Sequence, residues 1–190
     1  MEFSAAVLAG GRSRRFGQDK ARYHWAGRPL MGHVLESLEG ASDVFIVANR
    51  DYSEFGLPVY PDVITGGDSL SGLHSALVHA KFDWVAVAAC DLPQLTPAYW
   101  AYMLDRAEGT TAKVVIAEGP GGWIEPLAAF YHKDLEFAAR TQLKNGDYYL
   151  RRLTETAGAE IVAWKELLGL FGPQLFLNAN TLEELRGASK

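Results

Sequence analysis

The sequence predicts an α/β domain whose mostly parallel sheet lies between two layers of helices. Short runs made almost wholly of apolar residues alternate with segments whose apolar residues recur at the helical period. Strands that are apolar on both faces are typical of parallel sheets covered by helices on both sides. A chain of 190 residues, 48% of them hydrophobic, is long enough for one domain with a full core. We therefore predict a single three-layer α/β/α, Rossmann-like domain over residues 1–190.

Each predicted strand is an apolar run bounded by polar or turn residues. The six runs cover residues 3–8, 44–48, 57–60, 84–89, 113–117 and 127–131. The predicted helices begin at capping signals or where a helical period starts: at Arg28-Pro29 (ending at Gly40), at Ser71, at Thr96-Pro97, over 134–143, over 148–156 and at the Thr181 capping box. Strands and helices thus alternate along most of the chain, as a parallel sheet requires.

Four predicted loops meet at one edge of this sheet. Residues 10–20 follow the first strand, Asn49 the second, Asp62 the third and Asp91 the fourth. Open parallel sheets bind their ligands beyond the carboxyl ends of the strands. This edge is therefore the predicted binding site.

The loop after the first strand combines glycines with cations. Gly10 and Gly11 allow backbone N–H groups to approach anionic oxygens. Six of the first 30 residues are Lys or Arg and only two are acidic, in a chain of net charge −5. This local excess favours a small anionic ligand such as a triphosphate over nucleic acid. An ordinary turn followed by a solvated basic run is the alternative.

The spacing of this loop excludes two common phosphate-binding motifs. A P-loop needs Lys directly after its second glycine, whereas Lys20 stands three residues after Gly17. A dinucleotide fingerprint needs G-x-G-x-x-G, whereas Gly10 and Gly11 are adjacent. The loop is therefore neither a P-loop nor a dinucleotide fingerprint.

The pattern L-x-G-G-x-S-x-R-x-G-x-D-K over residues 8–20 resembles the nucleotidyltransferases of the molybdenum cofactor guanylyltransferase (MobA) type. The resemblance implies a sheet of the nucleotide-diphospho-sugar transferase type, with a nucleotide-binding half over about 1–95 and an acceptor-binding half over about 96–190. It implies GTP-binding residues at Leu8, Ala9, Gly10, Gly11, Lys20, Asn49, Asp62 and Asp91. The catalytic residues that it implies are Arg15, Lys20 and Asp91.

Asp91 is the candidate metal ligand. It ends an apolar strand in the segment Cys90-Asp91-Leu92-Pro93. Magnesium takes one or two carboxylates together with substrate phosphates, and the family resemblance implies that this Asp holds Mg²⁺. From position alone, Asp91 could equally be a loop cap. Cys90 is interpreted as a small buried filler, because no histidine stands beside it to activate the thiol.

The resemblance also implies which residues contact the guanosine and which contact the acceptor. It places Asn49 and Asp62 against the guanosine. The family motif G-P-L-x-G is incomplete over residues 68–72, where Ser69 replaces the proline. The ending N-x-N-T-x-E-E-L implies acceptor contacts from Asn178 and Asn180, although Asn180 also reads as a helix cap.

The acceptor half departs from the family pattern at Tyr148 and Tyr149. These tyrosines stand where an arginine pair is expected, and Arg151-Arg152 follow later. The tyrosines could stack on a pterin ring or pack in the core as helix residues. The pterin contacts therefore stay open.

The implied reaction is transfer of GMP from GTP to molybdopterin, with Mg²⁺, forming molybdopterin guanine dinucleotide and pyrophosphate. A relative with another base or acceptor, such as a molybdopterin cytidylyltransferase or a sugar-phosphate nucleotidyltransferase, is the alternative. A non-catalytic nucleotide-binding regulator is a third, against which Lys20 and Asp91 argue. The resemblance further implies transient contact with molybdoenzymes or cofactor-delivery proteins.

Composition predicts a cytoplasmic protein that binds neither nucleic acid nor membrane. Cys90 is the sole cysteine, which excludes an intrachain disulfide and a cysteine-rich zinc site. The sequence has no apolar run of membrane-spanning length and no signal peptide pattern at its start.

Overall fold

The computed structural model describes residues 1–10 and 19–178. The strands within these residues are β1 (Ser4–Leu8), β2 (His24–Trp25), β3 (Arg28–Pro29), β4 (Asp43–Val47), β5 (Val59–Tyr60), β6 (Trp84–Ala89), β7 (Val114–Glu118), β8 (Ile124–His132) and β9 (Glu160–Val162). Seven of them form one sheet in the order β5-β4-β1-β6-β8-β7-β9, and β2 pairs with β3 in a small ribbon. In the large sheet β8 runs antiparallel to β6 and β7, and the other pairs are parallel. The prediction of a mostly parallel sheet is confirmed.

Helices cover both faces of this sheet. They are α1 (Leu30–Ser37), α2 (Asp68–His79), α3 (Pro97–Gly109), α4 (Glu136–Lys144), α5 (Leu150–Ala157) and α6 (Trp164–Phe171). One core cluster joins the sheet to α1, α3 and α6, and a second joins it to α2, α4 and α5. This is the predicted three-layer α/β/α arrangement.

The two central strands explain why the sheet is buried on both faces. Every residue of β1 and β6 is buried. Along β1, Ala5 and Val7 pack in the first core cluster, whereas Ala6 and Leu8 pack in the second. Side chains alternate across a strand, so a continuous apolar run supplies both cores.

Helix α2 begins earlier than the predicted cap at Ser71. It starts at Asp68, and Ser71 is buried inside its first turns, where its Oγ accepts a hydrogen bond of 2.9 Å from the backbone N–H of Gly67. A Cβ on Gly67 would lie 2.3 Å from Cδ2 of Leu143 in α4. The glycine therefore allows α4 to pack against the start of α2.

Other sequence predictions differ from the structure at element ends. Arg28 and Pro29 pair with the β2 strand, so helix α1 begins only at Leu30. Strand β9 and helix α6 were not predicted. Thr96 caps α3 as predicted, accepting from the backbone N–H of Tyr99 at 3.2 Å. The helix predicted from Thr181 lies outside the described residues.

None of the helices within residues 1–10 and 19–178 is both long enough and apolar enough to cross a membrane.

Candidate active site

The carboxyl ends of four parallel strands form the candidate site, as the sequence predicted. Leu8 at the end of β1 is level with Val47 at the end of β4 and with Ala89 at the end of β6. Val47 is level with Tyr60, the last residue of β5. The loops that follow these strands therefore leave the sheet side by side.

Lys20 and Asp91 meet at this edge. The Nζ of Lys20 donates a hydrogen bond of 2.9 Å to Oδ2 of Asp91, although 71 residues separate them in the chain. Their side chains are 16% and 18% exposed, so the ion pair is largely shielded and still reachable from solvent. A partly buried pair is screened less by salt than a surface pair. The two catalytic candidates thus lie in direct contact.

Asp19 and Tyr52 fix the backbone that carries Lys20. Asp19 caps the short 3₁₀ turn Lys20–Arg22, and its Oδ1 accepts from the backbone N–H of Ala21 at 3.0 Å. The hydroxyl of buried Tyr52 lies 3.0 Å from both carboxylate oxygens of Asp19. Burial, with the neighbouring Asp19 carboxylate, raises the pKa of Tyr52, so its hydroxyl stays a proton donor. Sequence reasoning missed Tyr52, since its spacing from Asp19 carries no signal.

Asn49 and Asp62 form a second pair on the far side of β1. The Nδ2 of Asn49 donates to Oδ2 of Asp62 at 2.8 Å, and the backbone N–H of Asp62 donates to Oδ1 of Asn49 at 3.0 Å. The two hydrogen bonds join the loops after β4 and β5. Together they hold a carboxylate, a hydrogen-bond acceptor, in a fixed position at the site edge.

The end of β1 provides backbone rather than side-chain chemistry. Ala9 continues the strand, since its N–H donates to the carbonyl of Val47 at 3.0 Å. Gly10 is exposed, and a Cβ there would meet no heavy atom of the described residues within 4 Å. Leu8 instead packs under α2, where a Cβ on Gly72 would lie 2.9 Å from its Cδ1. Gly72 therefore allows α2 to lie close over the strand.

Three predicted site residues, Gly11, Arg15 and Asn180, lie outside the described residues. Asn178 is described and exposed. It follows Leu175 and Phe176, which are buried in the same core cluster as Leu92 of the loop that carries Asp91. The acceptor-binding role of Asn178 stays a prediction.

The side chains of Tyr148 and Tyr149 do not pack in the core. Tyr148 is 51% exposed and Tyr149 is 72% exposed, so the core interpretation is wrong for both side chains. Arg152 pairs with Asp147, and Arg151 pairs with Glu155 at 2.8 Å. The two arginines thus lie on a surface that also carries exposed aromatic rings.

Asp91 is suited to bind a metal ion whose other ligands come from the substrate. Within residues 1–10 and 19–178, no three His, Cys, Asp or Glu side chains converge as a metal cage would require. Magnesium is often held by one or two carboxylates, with phosphate oxygens and water completing its shell. A single shielded carboxylate at the edge where a phosphate chain would lie fits that mode of binding.

Cys90 is not a candidate nucleophile. Burial raises the pKa of its thiol, and the adjacent Asp91 carboxylate adds to the effect. A thiol that stays protonated is a poor nucleophile, so the filler interpretation stands.

Known proteins share both the sequence and the fold of this chain. The chain is 35% identical over 186 residues to the molybdenum cofactor guanylyltransferase of Syntrophotalea carbinolica, covering 95% of this chain and 88% of the relative. The fold of molybdopterin-guanine dinucleotide biosynthesis protein A from Archaeoglobus fulgidus matches with a TM-score of 0.82 at 24% identity, over 97% and 96% of the two chains. The 2-C-methyl-D-erythritol 4-phosphate cytidylyltransferase of Thermus thermophilus matches with a TM-score of 0.73 at 17% identity, over 99% and 97%.

A family model confirms the resemblance carried by residues 8–20. The model of the MobA-like NTP transferase domain matches residues 5–162, from β1 to the end of β9. That range contains the Lys20–Asp91 and Asn49–Asp62 pairs. The chain belongs to the MobA-like NTP transferase family.

Proposed function

We propose that this protein transfers GMP from GTP to molybdopterin, forming molybdopterin guanine dinucleotide and pyrophosphate. The observation that carries the proposal is the 2.9 Å contact between Lys20 and Asp91 at the carboxyl edge of the sheet. Family membership and the name of the Syntrophotalea relative support the choice of reaction. A cation beside a carboxylate at this edge supports the proposal of a site for a triphosphate and its metal ion.

The reaction needs no covalent intermediate on the enzyme. An oxygen of the acceptor phosphate forms a bond to the α-phosphorus of GTP, and the bond from that phosphorus to the bridging oxygen of pyrophosphate breaks. Both reactants are anions, so catalysis consists of holding them in line and neutralising their charge. Lys20 supplies a cation for the triphosphate, with Arg15 proposed beside it.

Asp91 is the residue that we propose holds Mg²⁺. The metal, when bound, neutralises phosphate charge and acts as a Lewis acid on the phosphoryl oxygens. In the protein without substrate, the Lys20 ammonium donates a hydrogen bond to the same carboxylate.

The Asn49–Asp62 pair is proposed to select guanine. The guanine N1–H and 2-amino groups are donors, and a carboxylate accepts from both. Asn49 donates to Oδ2 of Asp62 and accepts from its backbone N–H, so it positions the carboxylate. Asn178 and Asn180 remain the proposed acceptor contacts.

Turnover with molybdopterin tests the proposal directly. Purified protein, molybdopterin and Mg²⁺ are mixed with GTP, CTP, UTP or ATP in turn, and pyrophosphate release is measured. We expect release with GTP, and molybdopterin guanine dinucleotide as the product. A clear preference for CTP, or no release with molybdopterin under any nucleotide, would overturn it.

A further inference from the structure

Glu125 is a partly buried carboxylate that the reaction as described does not use. It is the second residue of β8 and lies level with Ala117 of β7. Within the described residues its carboxylate has no hydrogen-bond or ion-pair partner, and its charge helps to raise the pKa of the buried Tyr99 in α3. A partly buried carboxylate that the described residues leave unpaired can accept hydrogen bonds from a bound molecule, which would offset the cost of its burial.

The topology places Glu125 at the same edge of the sheet as Asp91. Strand β8 runs antiparallel to β6, and Ala128 of β8 lies level with Ala88 of β6. Glu125 is three residues before Ala128 and Asp91 is three residues after Ala88. Glu125 and Asp91 therefore each lie three residues beyond the Ala88–Ala128 pair, toward the edge where the parallel strands end.

The local packing aims the carboxylate at the turn between β7 and β8. A Cβ on Gly119 would lie 2.3 Å from Oε1 of Glu125 and 3.0 Å from its Cγ. The missing side chain at Gly119 therefore provides the space that the Glu125 carboxylate occupies. The hydroxyl of Tyr99 donates to the carbonyl of Ala128, which holds this strand against α3.

An exposed aromatic ring lies on the same turn. Trp123 is 68% exposed, and its carbonyl accepts from the backbone N–H of Gly119 at 2.7 Å. The guanidinium of Arg151 lies 5.9 Å from the centre of its ring. The surface beside Glu125 thus offers a stacking face and a cation, as a planar heterocycle joined to a phosphate would require.

We infer that Glu125 binds the acceptor by accepting hydrogen bonds from the amino and ring N–H donors of its pterin. This inference rests on the proposed function, because it takes the acceptor to be molybdopterin. The 2-amino-4-oxopyrimidine edge of a pterin carries two adjacent donors, which match the two oxygens of a carboxylate. Asp62, on the opposite side of β1, serves the guanine in the same way. Each base-like ring therefore has its own carboxylate.

Glu125→Gln tests the inference, because it keeps the size and removes one of the two acceptors. Pyrophosphate release is measured over ranges of molybdopterin and of GTP. We expect the KM for molybdopterin to rise about tenfold or more, the loss typical of one mispaired polar group. The KM for GTP and kcat should stay within about twofold. Glu118→Gln, on the paired strand, is the matched control.

Gly119→Ala provides a second variant that leaves Glu125 in the sequence. The added methyl group displaces the carboxylate, so this variant should also raise the KM for molybdopterin with little change in the KM for GTP. Gly109→Ala is its control, because a Cβ there meets no heavy atom of the described residues within 4 Å.

The outcomes separate this inference from the proposed function. If the unmodified protein fails to use molybdopterin, the proposed function fails. If it turns over and Glu125→Gln leaves the KM for molybdopterin unchanged, or raises both KM values equally, only the role of Glu125 is overturned.

Discussion

The Nζ of Lys20 and Oδ2 of Asp91 lie 2.9 Å apart across the ends of two neighbouring parallel strands. Lys20 follows the glycine loop after β1, and Asp91 follows β6. The sheet brings them together because Leu8 and Ala89 share a register position and the N–H of Cys90 donates to the carbonyl of Leu8 at 3.2 Å. The proposed triphosphate-binding lysine and metal-binding carboxylate thus depend on one strand pairing.

Tyr52→Phe tests whether the contact between the Tyr52 hydroxyl and Asp19 helps to position Lys20. The variant removes the hydroxyl that contacts both oxygens of Asp19. We expect the free energy of unfolding to fall by about 1 kcal/mol and kcat to fall by roughly tenfold, since misplacing a catalytic group slows the reaction. Urea denaturation and steady-state turnover measure the two effects.

Tyr102→Phe is the matched control for this variant. The Tyr102 hydroxyl pairs with Glu166 and Arg106 away from the proposed site. The Tyr102→Phe substitution should therefore change kcat little. Loss of stability in Tyr52→Phe with an unchanged kcat would contradict the positioning role.

Asp62→Asn tests the choice of base. The carboxylate is proposed to accept from N1–H and the 2-amino group of guanine, and inosine triphosphate lacks that amino group. The unmodified protein should therefore prefer GTP to inosine triphosphate by roughly tenfold or more, as expected for one hydrogen bond to a charged group. Asp62→Asn should lose most of that preference. Equal discrimination by both proteins would show that Asp62 does not contact the 2-amino group.

The stability of the free protein should depend on pH through Glu125. Burial raises the pKa of Glu125 from its ordinary 4.5 to about 7. The folded state therefore binds a proton that the unfolded state has released between these two values, and stability falls as the pH rises through this window. Above about pH 7 the full cost of the buried charge is present.

Glu125→Gln removes that titration. Relative to the unmodified protein, the variant should gain stability as the pH rises from about 5 to about 8 in urea denaturation. The same difference in stability at both pH values would contradict the buried-charge explanation. Glu118→Gln again serves as the control. The Glu118 carboxylate, unlike that of Glu125, has a hydrogen-bond partner, since its Oε2 accepts from the backbone N–H of Trp164.

Strong local patterns predicted the central part of the fold. The run over 84–89 became β6 with the same limits, and Thr96 caps α3 as expected. The positions of Asn49, Asp62 and Asp91 at one edge followed from parallel pairing alone. These features depend on apolar runs and capping residues, which the sequence displays directly.

Features that depend on contacts between distant segments were not predictable in this way. The direction of β8 is set by its pairing with β6 and β7, and an apolar run carries no sign of direction. The contact of Tyr52 with Asp19 joins segments 33 residues apart.

Helix α6 was missed although its apolar residues follow a helical period.

Single-turnover pyrophosphate release by Asp91→Asn is the most direct measurement of the proposed reacting centre. The variant keeps the size of the side chain and removes the charge that pairs with Lys20 and is proposed to hold Mg²⁺. We expect the rate to fall roughly 100-fold or more, as when a group that stabilises transition-state charge is lost. Asp134→Asn, which breaks an exposed ion pair with Lys113, should stay within about twofold. A folded Asp91→Asn protein that releases pyrophosphate at the unmodified rate would contradict the assignment of Asp91 to the reacting centre.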